Sequence, residues 1–373
     1  MKIGIDGWYL QVPRGIGNTT RDLLLELSGV AGDDEYLVYV PRGFEPDHAL
    51  KRLENIGFRE LPRVPYPLWE QAVLPMAACL DGLDVLHSVG NTAPLHSPRR
   101  VKLVLTLHDT MFMWPGSALG GRSSGYQTLG RWYRRYVAPR AARRAAQIVT
   151  NSEATRRDVV SRLAVPQEKV RVLGFAPGPD FRPLPPTEYR RHLPQRAAGA
   201  GPFLLGFAAK DPRKNTSRLV TAFMRLAETQ PGLDLVLVGD GHDLSSQRNL
   251  SAEARARIVV LGFVRREQLI ALYNSALLLA YPSLYEGFGL PVLEAMACGT
   301  PVVTSRRGAL TEVAGDAAIF VDPESTDQIA EAISLLVNDD SLRARQRSRG
   351  LARAAQFSWV ATAEELVSLY RRL

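Results

Sequence analysis

The fold of this chain is decided by residues 281–304, which read YPSLYEGFGLPVLEAMACGTPVVT. The apolar run just before them, 276–280, predicts a buried parallel strand, and a glycine-rich loop leads from that strand to a helix beginning near Leu290. Pro291 fits the first turn of the helix, and Gly299 fits the position just after its last turn. The loop is therefore expected to point backbone N–H groups, and the positive end of the helix dipole, into the space above the strand.

Two glutamates flank this anion-attracting loop. Glu286 lies in the loop and Glu294 lies in the helix, with seven residues between them. Both carboxylates would repel a purely anionic ligand, so the ligand needs hydroxyl groups that donate to them as well as phosphates that meet the helix end. A sugar nucleotide has both kinds of group, and the sequence predicts that this loop binds one.

Composition predicts a globular protein of two domains, because the chain has 373 residues, 46% of them hydrophobic and 23% charged. The net charge of +8 comes almost entirely from arginine and favours anionic ligands without identifying one. Cys79 and Cys298 lie in apolar helical contexts, so both are expected to be small buried thiols rather than a disulfide. The chain opens on a strand and has no apolar run of about 18 residues, which predicts a cytoplasmic protein that spans no membrane.

Strands and helices alternate and predict an α/β fold of two Rossmann-like, doubly wound parallel sheets. In the first half, strands are predicted at 2–6, 36–40, 84–89, 102–108, 147–151 and 170–174. In the second half, they are predicted at 203–208, 234–238, 258–261, 276–280, 301–304 and 318–321. Helices are predicted between them at 17–28, 67–79, 126–145, 153–163, 215–229, 265–274, 290–298 and 308–314. Ser152 is expected to cap the helix at 153–163.

A segment rich in proline and arginine, 181–202, predicts a linker between an N-terminal domain at 1–180 and a C-terminal domain at 203–356. From 357 to 373 the pattern predicts a helix that crosses back to the first domain. Two doubly wound domains joined in this way are expected to place a ligand cleft between the carboxyl ends of their strands.

Two candidate sites follow strands of the first half. The glycines of Pro13-Arg-Gly-Ile-Gly17 could let a diphosphate approach the backbone, or they could form a plain tight turn, since the third glycine of a dinucleotide fingerprint is missing. His108 and Asp109 end a predicted strand at the edge where such sheets bind ligands. The imidazole could hydrogen-bond a sugar hydroxyl or stabilise developing charge, with the carboxylate holding its orientation, or it could be a satisfied structural histidine.

Two basic segments allow similar pairs of interpretations. Lys210-Asp-Pro-Arg-Lys-Asn215 precedes a helix and suits a leaving diphosphate, with a solvated basic turn as the alternative. Residues 131–146, RWYRRYVAPRAARRAA, could contact a membrane surface, a lipid phosphate or nucleic acid, or form the solvated face of an ordinary helix. The acidic pairs at 33–34 and 240–243 match no ligand set of defined geometry, so no metal site is predicted.

The segment EGFGLPVLEAMACGTPVV at 286–303, followed by GALTEVAGDAAIFVDP at 308–323, resembles the C-terminal signature of retaining glycosyltransferases of family four, which have the GT-B fold. The likeness continues in DPRKN, LGFVRREQLIALYNSALLLAYPS, TNSEATRRDVV and LTLHD. The segments TEVAGDAA and RKN are similar to those of bacterial mannosyl- and glucosyl-type enzymes that build surface polysaccharides or glycosylated natural products. The resemblance implies transfer of a hexose from a nucleoside-diphosphate sugar, without metal or cofactor, to a saccharide, lipid-linked or natural-product acceptor.

The resemblance also implies roles in donor binding. Glu294 would bind the ribose, Glu286 would bind the donor sugar, and Lys214 would neutralise the diphosphate. Further donor contacts are implied for Phe263 and Val264 at the base, for Phe288, Gly289 and Leu290 at the diphosphate and sugar, and for Gly15 and Gly17 in a loop that closes over the phosphates. Many family members have an arginine where this chain has Ala208 or Ala209, so either Lys210 or Arg213 would supply that charge, or fewer cations would hold the diphosphate.

In the N-terminal domain, the resemblance places His108 near the reacting end of the sugar. The apolar, glycine-rich segment 111–127 is the candidate acceptor loop, with Asp109 and Trp114 as candidate contacts. A nucleotide-sugar epimerase of the same fold is the alternative enzyme, and a basic nucleic-acid-binding protein is the alternative outside enzymes. No nucleic-acid partner is expected, and the predicted location is cytoplasmic, with a peripheral membrane contact through 131–146 as one alternative to a solvated helix face.

Overall fold

A computed structural model describes residues 1–12, 14–98, 100–114, 125–209, 211–239 and 252–373. These residues form two compact units. Unit 1 contains 1–114, 125–175 and the C-terminal residues Ser358–Leu373. Unit 2 contains the described part of Ala176–Phe357, so the segment predicted as a linker is grouped with it.

Unit 1 is built on a parallel sheet of seven strands in the order β3-β2-β1-β4-β5-β6-β7. The strands are β1 Lys2–Asp6, β2 Glu35–Pro41, β3 Ile56–Leu61, β4 Val85–Ser88, β5 Lys102–Leu107, β6 Gln147–Thr150 and β7 Val170–Val172. The helices are α1 Ile16–Val30, α2 Tyr66–Leu68, α3 Leu74–Leu80, α4 Gly125–Arg144 and α5 Glu153–Leu163. A wider helical turn, Trp69–Val73, joins α2 to α3.

Unit 2 is built on a parallel sheet of six strands in the order β10-β9-β8-β11-β12-β13. The strands are β8 Phe203–Ala208, β9 Asp234–Gly239, β10 Ile258–Gly262, β11 Leu278–Tyr281, β12 Val302–Ser305 and β13 Ile319–Val321. The helices are α6 Pro186–Tyr189, α7 Gln195–Ala198, α8 Thr216–Thr229, α9 Ala252–Ala256, α10 Arg266–Ser275, α11 Leu290–Ala297, α12 Leu310–Ala314, α13 Thr326–Asn338 and α14 Asp340–Ala354. The last helix of the chain, α15 Trp359–Arg371, belongs to unit 1.

The two sheets confirm the predicted α/β class of doubly wound parallel sheets. Their central strands are buried apolar runs, as in LLAY of β11, because helices cover both faces. The order of strands reverses between β1 and β4 in unit 1 and between β8 and β11 in unit 2. Loops that leave the carboxyl ends of such strand pairs line the ligand crevice of this architecture.

Several local predictions are tested by the described residues. Ser152 caps α5 as expected, with its Oγ accepting from the Thr155 N–H at 3.0 Å. The prediction of a buried thiol is confirmed for Cys298 and wrong for Cys79, which is exposed because it lies on the outer face of α3. The sequence analysis placed no strand at β3 and no helix at α13 or α14. Within the described residues, no helix is both long enough and apolar enough to cross a bilayer.

Candidate functional site

Three polar side chains meet at the carboxyl end of β11 in unit 2. The Lys214 Nζ donates to Glu286 Oε1 at 2.8 Å and also donates to the Tyr281 hydroxyl. The Tyr281 hydroxyl in turn donates to the same Glu286 oxygen at 2.8 Å. The structure therefore brings together two of the residues predicted to be catalytic, Lys214 and Glu286, and adds a tyrosine between them.

The loops that carry these side chains are fastened to each other through backbone groups. Asn215, which follows Lys214, is buried and donates its amide to the Pro282 carbonyl at 2.9 Å and to the Pro323 carbonyl at 2.6 Å. The backbone of Glu286 is held from the other side, because the Ala309 N–H donates to its carbonyl at 3.0 Å, and a Cβ at Gly308 would lie only 2.3 Å from the same oxygen. The loops after β8, β11, β12 and β13 thus support one site at the point where the strand order reverses.

Electrostatics keep this cluster ionic. Burial lowers the pKa of Lys214, but the negative charge of Glu286 and the hydrogen bonds to Glu286 and Tyr281 outweigh it, so the pKa is raised overall. Burial and the charge of Glu286 raise the pKa of Tyr281, which stays a neutral phenol. The ammonium is therefore charged at every physiological pH and can attract a further anion.

The second glutamate is held by a second tyrosine. Glu294 lies in α11, is only 9% exposed, and accepts a hydrogen bond at Oε2 from the Tyr273 hydroxyl at 3.0 Å. Burial and the Glu294 charge raise the pKa of Tyr273 well above its usual value, so this phenol also stays a neutral donor. Both carboxylates of the predicted pair are therefore oriented by buried tyrosines.

The helix between the two glutamates begins and ends as predicted. Gly289 precedes α11 with φ of 100°, where a Cβ would lie 2.6 Å from Leu310, and no side chain caps the first turn. Pro291 lies in that turn, and Gly299 follows the helix with φ of 78°. The positive end of this eight-residue helix thus lies beside Glu286 and favours an anionic group, although Pro291 has no N–H and the Val292 N–H already donates to the Gly289 carbonyl at 3.0 Å.

The remaining donor-binding candidates of unit 2 fall into different environments. Phe288 and Val264 are buried, whereas Phe263 is more than half exposed at the end of β10, and Leu290 opens α11. The guanidinium of Arg213 pairs with Asp211 through two nitrogens, so part of its charge is already neutralised. Lys210 lies outside the described residues, as does the acidic segment 240–243.

In unit 1, His108 follows β5 and its ring is fixed by the neighbouring strand end. The Nε2 atom lies 2.7 Å from the Val89 carbonyl, so Nε2 carries the proton and Nδ1 is left as the acceptor nitrogen. Burial lowers the pKa of His108 despite that hydrogen bond and the nearby charge of Asp109, so the ring is neutral. The backbone N–H of His108 donates to Asn91 Oδ1 at 2.6 Å.

The expected role of Asp109 in orienting His108 is wrong, because the Val89 carbonyl does this. The Asp109 carboxylate instead accepts from the Met111 N–H at 2.9 Å and opens a helical turn at Met111–Met113. Trp114 comes directly after that turn, with the Arg162 guanidinium 5.5 Å from the centre of its ring. The rest of the predicted acceptor loop up to residue 124 lies outside the described residues.

The two glycines at the start of α1, Gly15 before its first residue and Gly17 in its first turn, serve different purposes. Gly15 caps α1 with φ of 39°, and a Cβ there would meet nothing within 4 Å. A Cβ at Gly17 would lie 2.1 Å from the Val12 carbonyl and 2.4 Å from the Tyr9 carbonyl. Gly17 is therefore required by packing against the preceding turn, and Gly15 alone leaves open backbone for a ligand.

A second group of buried acids, in unit 1, was not predicted from the sequence. Asp6 ends β1 and accepts at Oδ1 from the Trp69 indole at 3.0 Å and from the Trp8 N–H at 3.1 Å. Glu70 accepts from the hydroxyls of Tyr66, Thr92 and Tyr133 and from the amide of Gln71. Both acids are 0% exposed. The only sequence signal was the tryptophan beside Glu70, which reads equally well as core.

Taken together, the unit 2 residues can hold an anion at a helix end with a lysine beside it, and can accept hydrogen bonds from hydroxyl groups at two carboxylates. Within the described residues, no cluster of three or more histidines, cysteines or acids is arranged to hold a metal ion. This combination fits a ligand that carries both phosphate and sugar hydroxyls.

Comparisons with known proteins agree on one family. Residues 13–174 match the family model described as Glycosyltransferase Family 4, and residues 194–353 match the one described as Glycosyl transferases group 1. The chain is similar to the O-antigen chain mannosyltransferase B of Escherichia coli, with 35% identity over 233 residues that make up 61% of this chain and 61% of that protein. It is also similar to the MMP alpha-(1->4)-mannosyltransferase of Mycolicibacterium hassiacum, with 33% identity over 250 residues, 65% of this chain and 58% of that protein.

The chain thus spans less than two thirds of the length of these curated relatives. Among solved structures, it is similar to Anabaena Alr3699/HepE in complex with UDP-glucose, with a TM-score of 0.71 and 20% identity over 100% of this chain and 99% of that one. At this level of identity the likeness shows the fold, which is GT-B.

Proposed function

Because this chain belongs to the family four glycosyltransferases, we propose that it transfers a hexose from a nucleoside-diphosphate sugar to a hydroxyl group of an acceptor. The observation that carries the proposal is the contact of Lys214, Tyr281 and Glu286 at the start of α11. A charged ammonium, the positive end of the α11 dipole and two oriented carboxylates suit the two halves of such a donor. The mannosyltransferase names of the curated relatives support mannose or a related hexose as the sugar.

In the proposed complex, the diphosphate lies at the start of α11, beside Lys214 and the backbone of Phe288, Gly289 and Leu290. Glu294 accepts from the ribose and Glu286 from the donor sugar, while Phe263 and Val264 border the base. Arg213 can contact the phosphates only if its ion pair with Asp211 opens. No metal is required in this scheme, because the lysine and the helix dipole supply the positive charge.

The proposed reaction retains the configuration of the sugar. The bond between the anomeric carbon and the diphosphate oxygen breaks, and the electron pair leaves with the diphosphate, which Lys214 stabilises as charge develops. The acceptor hydroxyl then forms its bond to the same face of the oxocarbenium-like carbon and gives its proton to an oxygen of the departing diphosphate. His108, as a neutral ring with Nδ1 as its acceptor atom, is proposed to contact the sugar from unit 1, and Gly15 is proposed to contact the phosphates.

The acceptor is proposed to bind to unit 1 near Asp109 and Trp114. Its class is a saccharide, a lipid-linked saccharide or a natural-product core. The O-antigen and other mannosyltransferase names of the relatives support the first two classes. Replacing Trp114 with alanine is expected to raise the Michaelis constant for the acceptor while leaving donor binding unchanged.

We also propose that an exposed surface of α4 binds a second partner, the anionic cytoplasmic face of a membrane. Leu129, Trp132 and Tyr136 are spaced along one side of α4 and are 69%, 70% and 57% exposed. The helix carries six arginines and no acidic residue, and Arg140 covers the ring of Tyr136 at 3.7 Å. Exposed aromatic rings between arginines suit the interface of a membrane rich in anionic lipid.

Co-sedimentation with phosphatidylglycerol vesicles tests the membrane partner. Trp132→Ser is expected to weaken binding about tenfold, because the indole would lose its burial in the interface. Leu335→Ser is the matched control, since Leu335 is an exposed leucine on α13 of unit 2. Equal binding to neutral vesicles, or binding to duplex DNA instead, would contradict the assignment.

A thermal-shift screen of UDP, GDP, ADP and TDP tests the donor proposal and identifies the base, because a ligand that binds the native state raises the unfolding temperature. Proton NMR of the first transfer product is expected to show the anomeric configuration of the donor. Incubation of the protein with the donor and no acceptor distinguishes a transferase from an epimerase, because an epimerase would yield an isomer of the donor with the same mass. If none of the four nucleotides stabilises the protein, the donor proposal is wrong.

A further inference from the structure

We propose that Tyr281 is a positioning residue that keeps Lys214 and Glu286 from closing into a two-oxygen ion pair. In this way it reserves one oxygen of Glu286 for a hydroxyl of the donor sugar. The inference rests on the proposed function, because it assigns a role within that donor site. It concerns recognition of the sugar rather than of the nucleotide.

The geometry gathers both protein donors on one carboxylate oxygen. The Lys214 ammonium and the Tyr281 hydroxyl each donate to Glu286 Oε1, both at 2.8 Å. Oε2 has no hydrogen-bond partner among the residues that the structure describes. An ionised carboxylate can accept on both oxygens, so Oε2 keeps its full capacity for a ligand hydroxyl.

The tyrosine also uses up one of the three ammonium donors. The Lys214 Nζ donates to the phenol oxygen as well as to Glu286, which leaves one N–H group. That remaining donor is the one that can reach a phosphate oxygen. Tyr281 therefore divides the lysine between its internal partners and the proposed ligand.

The phenol can do this because its own position is fixed. Tyr281 is the last residue of β11 and is 2% exposed. Its ring meets Phe207 edge-on, with 5.8 Å between the ring centres and 86° between the planes. Its carbonyl accepts from the Thr304 hydroxyl at 2.8 Å and from the Ser283 N–H at 2.9 Å. A donor placed this rigidly orients its partner at little entropic cost when the ligand binds.

Removal of the phenol oxygen has a specific chemical consequence. In Tyr281→Phe the ring stays, but the ammonium loses an acceptor and Glu286 loses a donor. The lysine is then free to turn so that its three N–H donors meet both carboxylate oxygens. The sugar hydroxyl would have to compete with the lysine for Oε2, while the nucleotide would keep its own contacts.

Tyr273 provides a matched comparison within the same unit. It is also a buried tyrosine that donates to a glutamate, but its partner is Glu294, the proposed ribose contact. Tyr273→Phe is therefore expected to weaken the binding of the free nucleotide, which Tyr281→Phe should spare. Tyr36→Phe in unit 1 is the control for loss of a buried hydroxyl, because the Tyr36 hydroxyl has no hydrogen-bond partner in the structure.

The experiment uses the full chain, with calorimetry for the nucleoside diphosphate that stabilises the wild type and steady-state hydrolysis of the corresponding glucose and mannose donors. For Tyr281→Phe we expect the Kd of the nucleoside diphosphate to change by less than about threefold, and kcat/KM for the sugar donor to fall about tenfold or more, as for one lost hydrogen bond to a charged group. For Tyr273→Phe we expect the Kd of the nucleoside diphosphate to rise about tenfold.

A double variant tests whether Tyr281 acts through the lysine. If it does, adding Tyr281→Phe to Lys214→Ala should cause no further loss in kcat/KM, because the two single effects would not be additive. Additive losses, an unchanged kcat/KM in Tyr281→Phe, or an equal loss of nucleotide and sugar-donor binding would each overturn the inference. If no nucleoside diphosphate binds the wild type, the proposed function itself fails, and this outcome is separate from the others.

Discussion

The two units hold their buried carboxylates in different ways. In unit 1, Asp6 and Glu70 are completely buried and are surrounded by neutral donors, with no cation paired to either among the described residues. In unit 2, Glu286 and Glu294 are each 9% exposed, and Glu286 has the Lys214 ammonium beside it. The same chemical group is enclosed by packing in one unit and lies at an accessible edge in the other.

The contrast separates acids that maintain the fold from acids that can bind a ligand. Burial raises the pKa of Asp6 to about 7 and also raises the pKa of Glu70, because neither carboxylate has a compensating charge. Such groups are costly to ionise and fix the aromatic rings around them. Glu286 keeps a small exposed fraction and has a neighbouring cation, so it is placed to exchange one partner for a ligand.

The largest expected effect is on the stability of unit 1. Glu70→Ala should lower the free energy of unfolding by about 4 kcal/mol, because it leaves four donors around a buried cavity without their acceptor. Glu286→Ala should cost less, about 2 kcal/mol, since it removes one hydrogen-bonded partner of a Lys214 side chain that is still 26% exposed. Urea unfolding followed by tryptophan fluorescence measures both values, and equal losses in the two variants would remove the distinction between the units.

A second expected effect appears in the pH dependence of unit 1. Native Asp6, with a pKa of about 7 against 3.8 for the free group, keeps a proton that the unfolded chain releases, so its contribution to stability falls as pH rises between these values. Native His87, with a pKa lowered by burial to about 3 from 6.5, lacks a proton that the unfolded chain binds, so its contribution rises with pH in that window. From about pH 4.5 to 6.5, the Asp6 contribution to stability falls with pH while the His87 contribution rises, so the two largely cancel.

Single variants of Asp6 and His87 should therefore change the pH dependence of the free energy of unfolding in opposite directions. In Asp6→Asn the free energy of unfolding is expected to rise with pH by about 1.4 kcal/mol per unit, relative to the wild type. In His87→Gln it is expected to fall by about the same amount. Urea midpoints measured at several pH values check both signs. Parallel profiles for the wild type and Asp6→Asn would mean that Asp6 is ionised in the native protein.

The third expected effect is catalytic and belongs to unit 2. Lys214→Ala should lower kcat about 100-fold, because the charge that the lysine stabilises develops in the transition state. The effect on donor affinity should be smaller, and the unfolding temperature of unit 1 should not change. Steady-state kinetics, with a donor identified by the thermal-shift screen, measure the effects on kcat and on the Michaelis constant separately. A change confined to the Michaelis constant would show that Lys214 contributes to binding alone.

Much of the donor site could be predicted from sequence, because its signals are local. The apolar run of β11, the proline and glycines around α11 and the spacing of Glu286 and Glu294 all lie within one short stretch. Lys214 was also predicted to belong to the site, because the basic segment that contains it lies directly before a helix, which is a local sequence signal. Doubly wound sheets followed from the same kind of alternation, with helices on both faces of buried strands.

The missed features depend on contacts between distant parts of the chain. Trp69 and Asp6 are 63 residues apart, and a tryptophan in an apolar context gives no hint of a carboxylate partner. Tyr273 and Tyr281 read as core aromatics, which they are, and only the fold shows that their hydroxyls reach the two glutamates. Strand β3 was missed because it lies at the edge of its sheet and contains Gly57, Arg59 and Glu60, which do not give a strand pattern.

The return of α15 to unit 1 has a consequence for synthesis on the ribosome. The Tyr370 hydroxyl lies 2.6 Å from His87 Nδ1, and Arg371 donates to Asp34 at 2.9 Å, so the last helix fills part of the unit that contains the first strand. The part of unit 2 that the structure describes is translated between Phe175 and Ser358. At about 5–20 residues per second, the incomplete unit 1 must wait roughly ten to forty seconds for its last helix, with part of its apolar surface available to chaperones.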